Sequence, residues 1–200
     1  MVKYIFFFMI PLASLFSEMN VLAISGSTRE GSYNKLLLKE ATGILRQWGA
    51  NVTFFDFKAS PLPFYDGDLE SQQGLPPNVE ELRRLMIQSD VILIATPEYN
   101  SSIPGLLKNA LDWTSRKKQG ETIREAYVGK KFLLLSASPG KRGGARAVLH
   151  LKTVIEDIGG NVLPLTFSLP AASQAFDEQG HLKDPQQAQV LEETLRQVKG

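Results

Sequence analysis

The sequence predicts an α/β fold, a doubly wound five-stranded parallel sheet in the order 2-1-3-4-5 with helices on both faces. Three observations lead there. Five short apolar runs alternate with five amphipathic segments along the 200 residues, and strands that alternate with helices build a parallel sheet covered on both sides. The runs are continuously apolar, as strands buried on both faces are. The loops richest in Gly, Ser, Pro and Asn follow strands one, three and four, at the edge where open α/β sheets place their ligands.

Taken in order, residues 21–25 (VLAIS) form the first strand and residues 26–34 a polar loop. A helix follows with Leu37, Ala41, Ile44, Leu45 and Trp48 on one face, and Gly49 closes it. Residues 52–57 make the second strand, and a long Pro/Gly/Asp segment without obvious structure runs over 58–77. Val79, Leu82, Leu85 and Met86 mark the second helix, and residues 91–95 the third strand. Pro97 stops that strand because it offers no N–H to the ladder, and Pro104 suits the first turn of the third helix, where a missing N–H costs nothing. Residues 132–136 form the fourth strand, and Val148, Leu151, Ile155 and Ile158 line the fourth helix up to Gly159 and Gly160. Residues 162–165 give a short fifth strand, and Ala188, Leu191, Leu195 and Val198 a last helix.

Composition excludes several classes. The net charge is +1, which gives no general pull toward nucleic acid. There is no cysteine, hence no disulfide framework, thiolate metal site or thiol nucleophile. His150 and His181 stand far apart, and no metal site is expected. Residues 4–16 are almost wholly apolar after Lys3, like the core of a signal peptide, and too short to span a bilayer. Residues 1–18 therefore read as an apolar extension, and residues 19–200 as the working domain. The extension is either upstream of a functional start at Met19, an export signal or membrane tether, or an N-terminal packing segment.

The first loop carries Gly26, Ser27, Thr28, Arg29, Ser32 and Asn34 into a helix start. A helix N-terminus offers free N–H groups and partial positive charge to an anion, hydroxyls add donors, and arginine adds a charge-assisted pair. Neither Gly-x-Gly-x-x-Gly nor Gly-Lys-Ser/Thr is present, so a terminal monophosphate fits better than a pyrophosphate against the backbone. The plainer reading is that Ser32 and Asn34 only cap the helix. After strand three, Tyr99 offers an aromatic face and Asn100 an amide for the edge of a flat heteroaromatic ring, although Pro, Asn and Ser are also ordinary turn residues. Glu98 is either a surface carboxylate or an ion-pair partner. After strand four, Ser136, Ser138 and glycines such as Gly140 suit the other side of the ring or a flexible helix-capping turn.

Gly26-Ser27-x-Arg29-x-x-Ser32-x-Asn34, together with Pro97-Glu98-Tyr99-Asn100-x-Ser102-x-Pro104-Gly105-x-Leu107-Lys108-Asn109-Ala110-x-Asp112-Trp113, resembles the NADPH-dependent FMN reductase family. That family holds flavodoxin-like quinone, chromate and azo-dye reductases. The resemblance implies a flavodoxin-like fold and non-covalently bound FMN. Ser27, Arg29, Ser32 and Asn34, with Tyr33 beside them, would hold the phosphate. Pro97, Glu98, Tyr99 and Asn100 would contact the isoalloxazine, and Ser136, Ser138 and Gly140 would complete the pocket. NADPH or NADH would supply hydride, and a quinone, azo compound, oxyanion or free flavin would take the electrons. The cofactor carries this chemistry, so no catalytic side chain is named.

The resemblance also implies a homodimer or homotetramer. Phe64 and Tyr65, costly to leave in water, are expected to pack on a partner subunit. Arg116, Lys117 and Lys118 after the third helix either attract a cofactor phosphate or simply complement the helix dipole. The expected location is cytoplasmic, or exported or membrane-tethered if residues 1–18 are retained. The competing reading is a flavodoxin-type electron carrier without NAD(P)H activity of its own.

Overall fold

The computed structural model describes residues 19–118 and 120–199. Expectations for residues 1–18 lie outside the described residues. The strands are β1 (Asn20–Ser25), β2 (Asn51–Phe55), β3 (Val91–Thr96), β4 (Lys131–Ala137), β5 (Asn161–Val162) and β6 (Phe167–Leu169). The helices are α1 (Tyr33–Gln47), α2 (Gly67–Gln73), α3 (Pro77–Gln88), α4 (Gly105–Thr114), α5 (Ala145–Asp157), α6 (Ala172–Ala175) and α7 (Pro185–Arg196).

The sheet is parallel in the order β2-β1-β3-β4-β5, as expected, and β6 adds to the same edge of β4. The expected fifth strand is thus two pieces. β5 covers only Asn161 and Val162, the chain passes Pro164, and β6 resumes with Leu135 opposite Phe167. Proline cannot donate to a ladder, so the strand breaks there and restarts.

Alternation along each strand divides the core. Val21, Ala23, Leu93 and Leu133 pack with Leu37, Ala41 and Leu45 of α1 and Leu191 and Leu195 of α7. Leu22, Ile24, Ile92, Ile94 and Leu134 face the other way, against Leu82 and Met86 of α3, Leu107 and Leu111 of α4, and Leu151 and Ile155 of α5. All six residues of β3 are buried, which places it at the centre of both layers.

Three local expectations change. Pro104 stands just before α4, at the N-cap, and Gly105 opens the helix. The 58–77 segment is not without structure, and it is anchored within its own chain. It contains α2, whose start Asp66 caps by accepting from the amides of Asp68 and Leu69. It is pinned to α4: Asn109 Oδ1 accepts from Tyr65 N at 2.7 Å, and Asn109 Nδ2 and Trp113 Nε1 each donate to Pro63 O at 2.8 Å. Tyr65 stacks edge-on against the buried Trp113, while Phe64 is left 85% exposed.

The third change is Arg83, which occupies a core position of α3 and is 1% exposed. Its guanidinium donates to Thr114 O at 2.7 Å and Arg116 O at 2.5 Å, satisfying carbonyls at the end of α4, and to both oxygens of Glu121. Burial pushes the Glu121 carboxyl up, but hydrogen bonds from the Lys118 amide and from Arg83 outweigh it and hold the group below its ordinary value.

Candidate functional site

The carboxyl ends of β1, β3 and β4 converge on one edge of the sheet. The first loop is tied to β3 as it leaves, since Gly26 N donates to Ala95 O at 2.8 Å. A Cβ at Gly26 would lie 3.3 Å from both Leu107 Cδ2 and Pro97 Cδ, so a side chain there would crowd the two loops. Ser27 is buried, and its hydroxyl accepts from Arg29 N at 3.3 Å. The Arg29 side chain reaches over the Tyr33 ring, 5.5 Å from its centroid, and pairs with no carboxylate among the described residues.

Ser32 holds the N-cap position of α1 with extended backbone, φ −74° and ψ 124°, but its hydroxyl makes no capping bond. The capping alternative therefore does not account for it: a serine that is 2% exposed keeps an unpartnered hydroxyl beside the free first-turn amides of a fifteen-residue helix. These groups line a cavity of about 140 Å³ together with Pro97, Glu98, Tyr99 and Ser138.

Asn34 lines the same cavity, but its amide is committed elsewhere. Nδ2 donates to Ala137 O at 3.0 Å, and Oδ1 accepts from Ala137 N at 2.8 Å. The side chain brackets one peptide unit of β4 and is 2% exposed. Asn34 thus joins the α1 start to the β4 loop, with one amide N–H and its carbonyl oxygen already engaged there.

The loop after β3 closes as a two-residue hairpin. Tyr99 N donates to Ser102 O and Ser102 N to Tyr99 O, both at 3.0 Å. The two central residues, Asn100 and Ser101, have φ of 50° and 66°. This is the double left-handed turn that favours Asn-Gly. A side chain there costs about 1–2 kcal/mol, least for asparagine, so Ser101 is the strained member. Tyr99 is 53% exposed on the rim, and Pro97 is buried beneath.

Helix α5 ties this loop down from the other side. Glu98 Oε2 accepts from Arg146 N at 3.1 Å, and Arg146 Nη1 donates to Ser101 Oγ at 2.6 Å. His150, one turn further along, has Nδ1 at 3.1 Å from Ser102 Oγ. Glu98 is thus neither a free surface carboxylate nor a side-chain ion pair; it accepts from the first turn of a helix, where negative charge is favoured. Sequence reading assigns His150 no role and passes over Arg146. Their spacing of one helical turn, at the start of the helix after the β4 loop, is the signal that could have found them.

The loop after β4 is built by close approach, not by flexibility. A Cβ on Gly143 would fall 2.6 Å from the backbone carbon of Leu169, and one on Gly144 would fall 2.9 Å from Ser136 Cβ, with φ of 61° and 90° at the two glycines. Ser136 is also corrected as a pocket residue. It is fully buried, donates to Gly143 O at 2.8 Å and lies 2.9 Å from Ser168 Oγ, so it shapes the loop from behind. Ser138 and Gly140 do face the site. With Glu98 and residues 141–144 they line a second cavity of about 520 Å³, and Glu98 and Ser138 border both cavities.

The donor set sorts into two ends. The smaller cavity offers the Arg29 cation, the hydroxyls of Ser27, Ser32 and Ser138 and helix-start amides, donors that suit an anion, with the Glu98 carboxylate on its border. The larger one offers Glu98, Ser138, Lys141, Arg142 and the backbone of a glycine-rich loop, while the hairpin residue Tyr99 borders the smaller one. The unpartnered Ser32 hydroxyl and the adjoining cavities fit a phosphorylated ring compound such as FMN. Arg116, Lys117 and Lys118 have partners of their own: Arg116 pairs with Glu70 at 3.0 Å, Lys118 with Glu80 at 2.6 Å, and Lys117 donates to Thr122 O at 2.8 Å. A further cavity of about 550 Å³, between Met19, Trp48, Asp90, Lys130 and Val198, lies at the amino ends of the strands, away from these loops.

Known proteins are similar to this chain over most of its length. The family model for NADPH-dependent FMN reductases matches residues 19–174. An NAD(P)H-dependent FMN reductase of Pseudomonas aeruginosa is 38% identical over 182 residues, covering 90% of this chain and 92% of that protein. An NAD(P)H:quinone oxidoreductase of Solanum tuberosum is 37% identical over 185 residues, covering 88% of each. Among solved structures, the flavoenzyme NAD(P)H:(acceptor) oxidoreductase FerB of Paracoccus denitrificans superposes with a TM-score of 0.75 at 26% identity, over 90% of this chain and 97% of that one.

Proposed function

The chain belongs to the NADPH-dependent FMN reductase family and is an NAD(P)H-dependent flavin oxidoreductase, and from that premise we propose how its own residues serve the reaction. FMN, when bound, takes up hydride from the nicotinamide and returns electrons to an acceptor. Arg29 and the hydroxyls of Ser27 and Ser32 grip the phosphate, helped by the backbone amides of Tyr33 and Asn34 at the start of α1. The single observation that carries this assignment is the Ser32 hydroxyl, 2% exposed residue and all, without a partner at a helix start.

Pro97, Glu98 and the 99–102 hairpin make one wall for the ring. Ser138, Gly140 and the glycine pair make the facing wall. Tyr99, 53% exposed, stands where a second flat molecule would approach the ring, so hydride donor and acceptor use one open face in turn. No side chain of the site is required as nucleophile or general base.

The acceptor class we favour is a small quinone, with azo compounds, oxyanions and free flavin as the remaining candidates. Several relatives are named for quinone reduction, including the potato oxidoreductase. We further propose a homodimer or homotetramer that works in the cytoplasm, with residues 1–18 lying outside the catalytic unit. Among the described residues no helix is long and apolar enough to cross a membrane. Phe64, held out on the pinned segment, is the apolar side chain that a partner subunit would cover.

The test is the visible absorption spectrum of the purified protein, before and after anaerobic NADPH. Flavin bands that bleach on addition are expected. Bands that persist would instead favour an electron carrier, and a protein that stays colourless after soaking in FMN would overturn the site.

A further inference from the structure

We propose that Arg146 is a positioning residue for the flavin ring: it clamps the strained Asn100–Ser101 turn from helix α5, and the hairpin holds its binding shape because of that clamp. The proposal rests on the reading that the 97–102 loop forms a wall of the FMN site.

The argument begins with the turn. Asn100 and Ser101 are non-glycine residues with φ of 50° and 66°, and such residues persist only where their surroundings over-determine them. Serine is a poor choice for the second of these positions, where glycine is the usual resident. The two hairpin bonds between Tyr99 and Ser102, each 3.0 Å, close the ends of the turn but do not hold its tip. Arg146 does: its Nη1 lies 2.6 Å from Ser101 Oγ, and Arg146 makes no ion pair among the described residues.

The same residue is held in place by the loop it clamps. Its backbone N–H donates to Glu98 Oε2 at 3.1 Å, so the carboxylate at the start of the loop anchors the helix turn that carries the guanidinium. His150, at 3.1 Å from Ser102 Oγ, adds a second tie from the same helix face. Because α5 begins directly after Gly143 and Gly144, the clamp joins both walls of the ring site. A guanidinium placed there for charge alone would need no bond to a serine hydroxyl at the tip of a strained turn.

A double-mutant cycle on the full chain tests this. Arg146→Ala removes the clamp while its backbone N–H still serves Glu98. Ser101→Gly removes the strain by supplying the residue the turn prefers. Two readouts are taken on each variant: the Kd for FMN by flavin fluorescence, and hydrogen exchange at the Tyr99 and Ser102 amides in the flavin-free protein. Arg146→Ala is expected to weaken FMN binding about tenfold, equivalent to about 1.4 kcal/mol, and to speed exchange at both amides. Arg146→Ala combined with Ser101→Gly is expected to recover both to near the parent values.

Unchanged affinity and unchanged exchange in Arg146→Ala would overturn the proposal. So would a loss that Ser101→Gly does not reverse, because the arginine would then act as a charge and not as a clamp. A parent protein that binds no FMN would sink the site reading instead, and the exchange measurement would still decide whether the clamp exists.

Discussion

Asn34→Ala separates a structural bracket from a phosphate ligand. In the native protein both polar atoms of the Asn34 amide bond one peptide unit, with Ala137 O at 3.0 Å and Ala137 N at 2.8 Å. The side chain is 2% exposed, and Ala137 is buried as well. Alanine removes both bonds and leaves a buried N–H and C=O unpaired. Each bond is worth about 0.5–1.5 kcal/mol net, and each orphaned group adds to the penalty, so the variant should lose about 2–4 kcal/mol. For a chain of this size that is a fall in Tm of roughly 5–12 °C. The assay is urea unfolding of the flavin-free protein, paired with the FMN Kd of the folded variant. The bracket reading expects the full loss with no flavin present and only a small change in affinity. A variant as stable as the parent that binds FMN tenfold more weakly would refute it, because the amide would then have been serving the phosphate.

Arg29→Ala should weaken FMN binding by about 1.5–3 kcal/mol, the worth of one hydrogen bond to a charged group, with urea stability unchanged; equal affinity in titration removes Arg29 from the site. Gly144→Ala puts a Cβ 2.9 Å from Ser136 Cβ at a φ of 90°, and a loss of about 1–3 kcal/mol in urea unfolding is expected from overpacking and strain. Arg83→Met takes the guanidinium away from the Glu121 carboxylate and from the carbonyls of Thr114 and Arg116, and should cost about 3–5 kcal/mol, read from the unfolding midpoint. The hydrogen bond and charge of Glu40, 2.7 Å from His181 Nδ1, raise the His181 pKa above 6.5. Stability from this pair is therefore fully present below pH 6.5 and declines as pH rises through the higher folded value. Urea midpoints measured across that interval should fall in the parent and stay level in Glu40→Gln.

Much of this molecule was legible from periodicity. The apolar runs at 21–25, 91–95 and 132–136 lie within β1, β3 and β4, since buried parallel strands leave a continuous apolar signature. Where that signature is short or absent, reading fails for identifiable reasons. α2 buries nothing and rests on the Asp66 cap, so no apolar stripe announces it. β6 has three residues between Pro164 and Pro170, too few for a pattern. Arg83 sits where the stripe of Val79, Leu82 and Met86 calls for an apolar residue, and only its carbonyl and carboxylate partners on other segments explain it.

The candidate site shows the same division. Residue types in three loops pointed to a place and to an anion end. They could not assign roles between Ser32 and Asn34, because the partner that occupies Asn34 is 103 residues away. Nor could they show that Tyr65 packs on Trp113 of the same chain, since either its own chain or a neighbour would relieve the same exposed ring.

That sequence separation also has a consequence during synthesis. The loop proposed to grip the phosphate is complete by residue 34, but its bracket waits for Ala137, 103 residues later. At about 5–20 residues per second of translation, the nascent chain carries an unbraced half-site for roughly 5–20 s. Parallel β1–β3 and β3–β4 pairing must follow before the edge closes. The site as proposed is therefore braced only in a nearly finished chain.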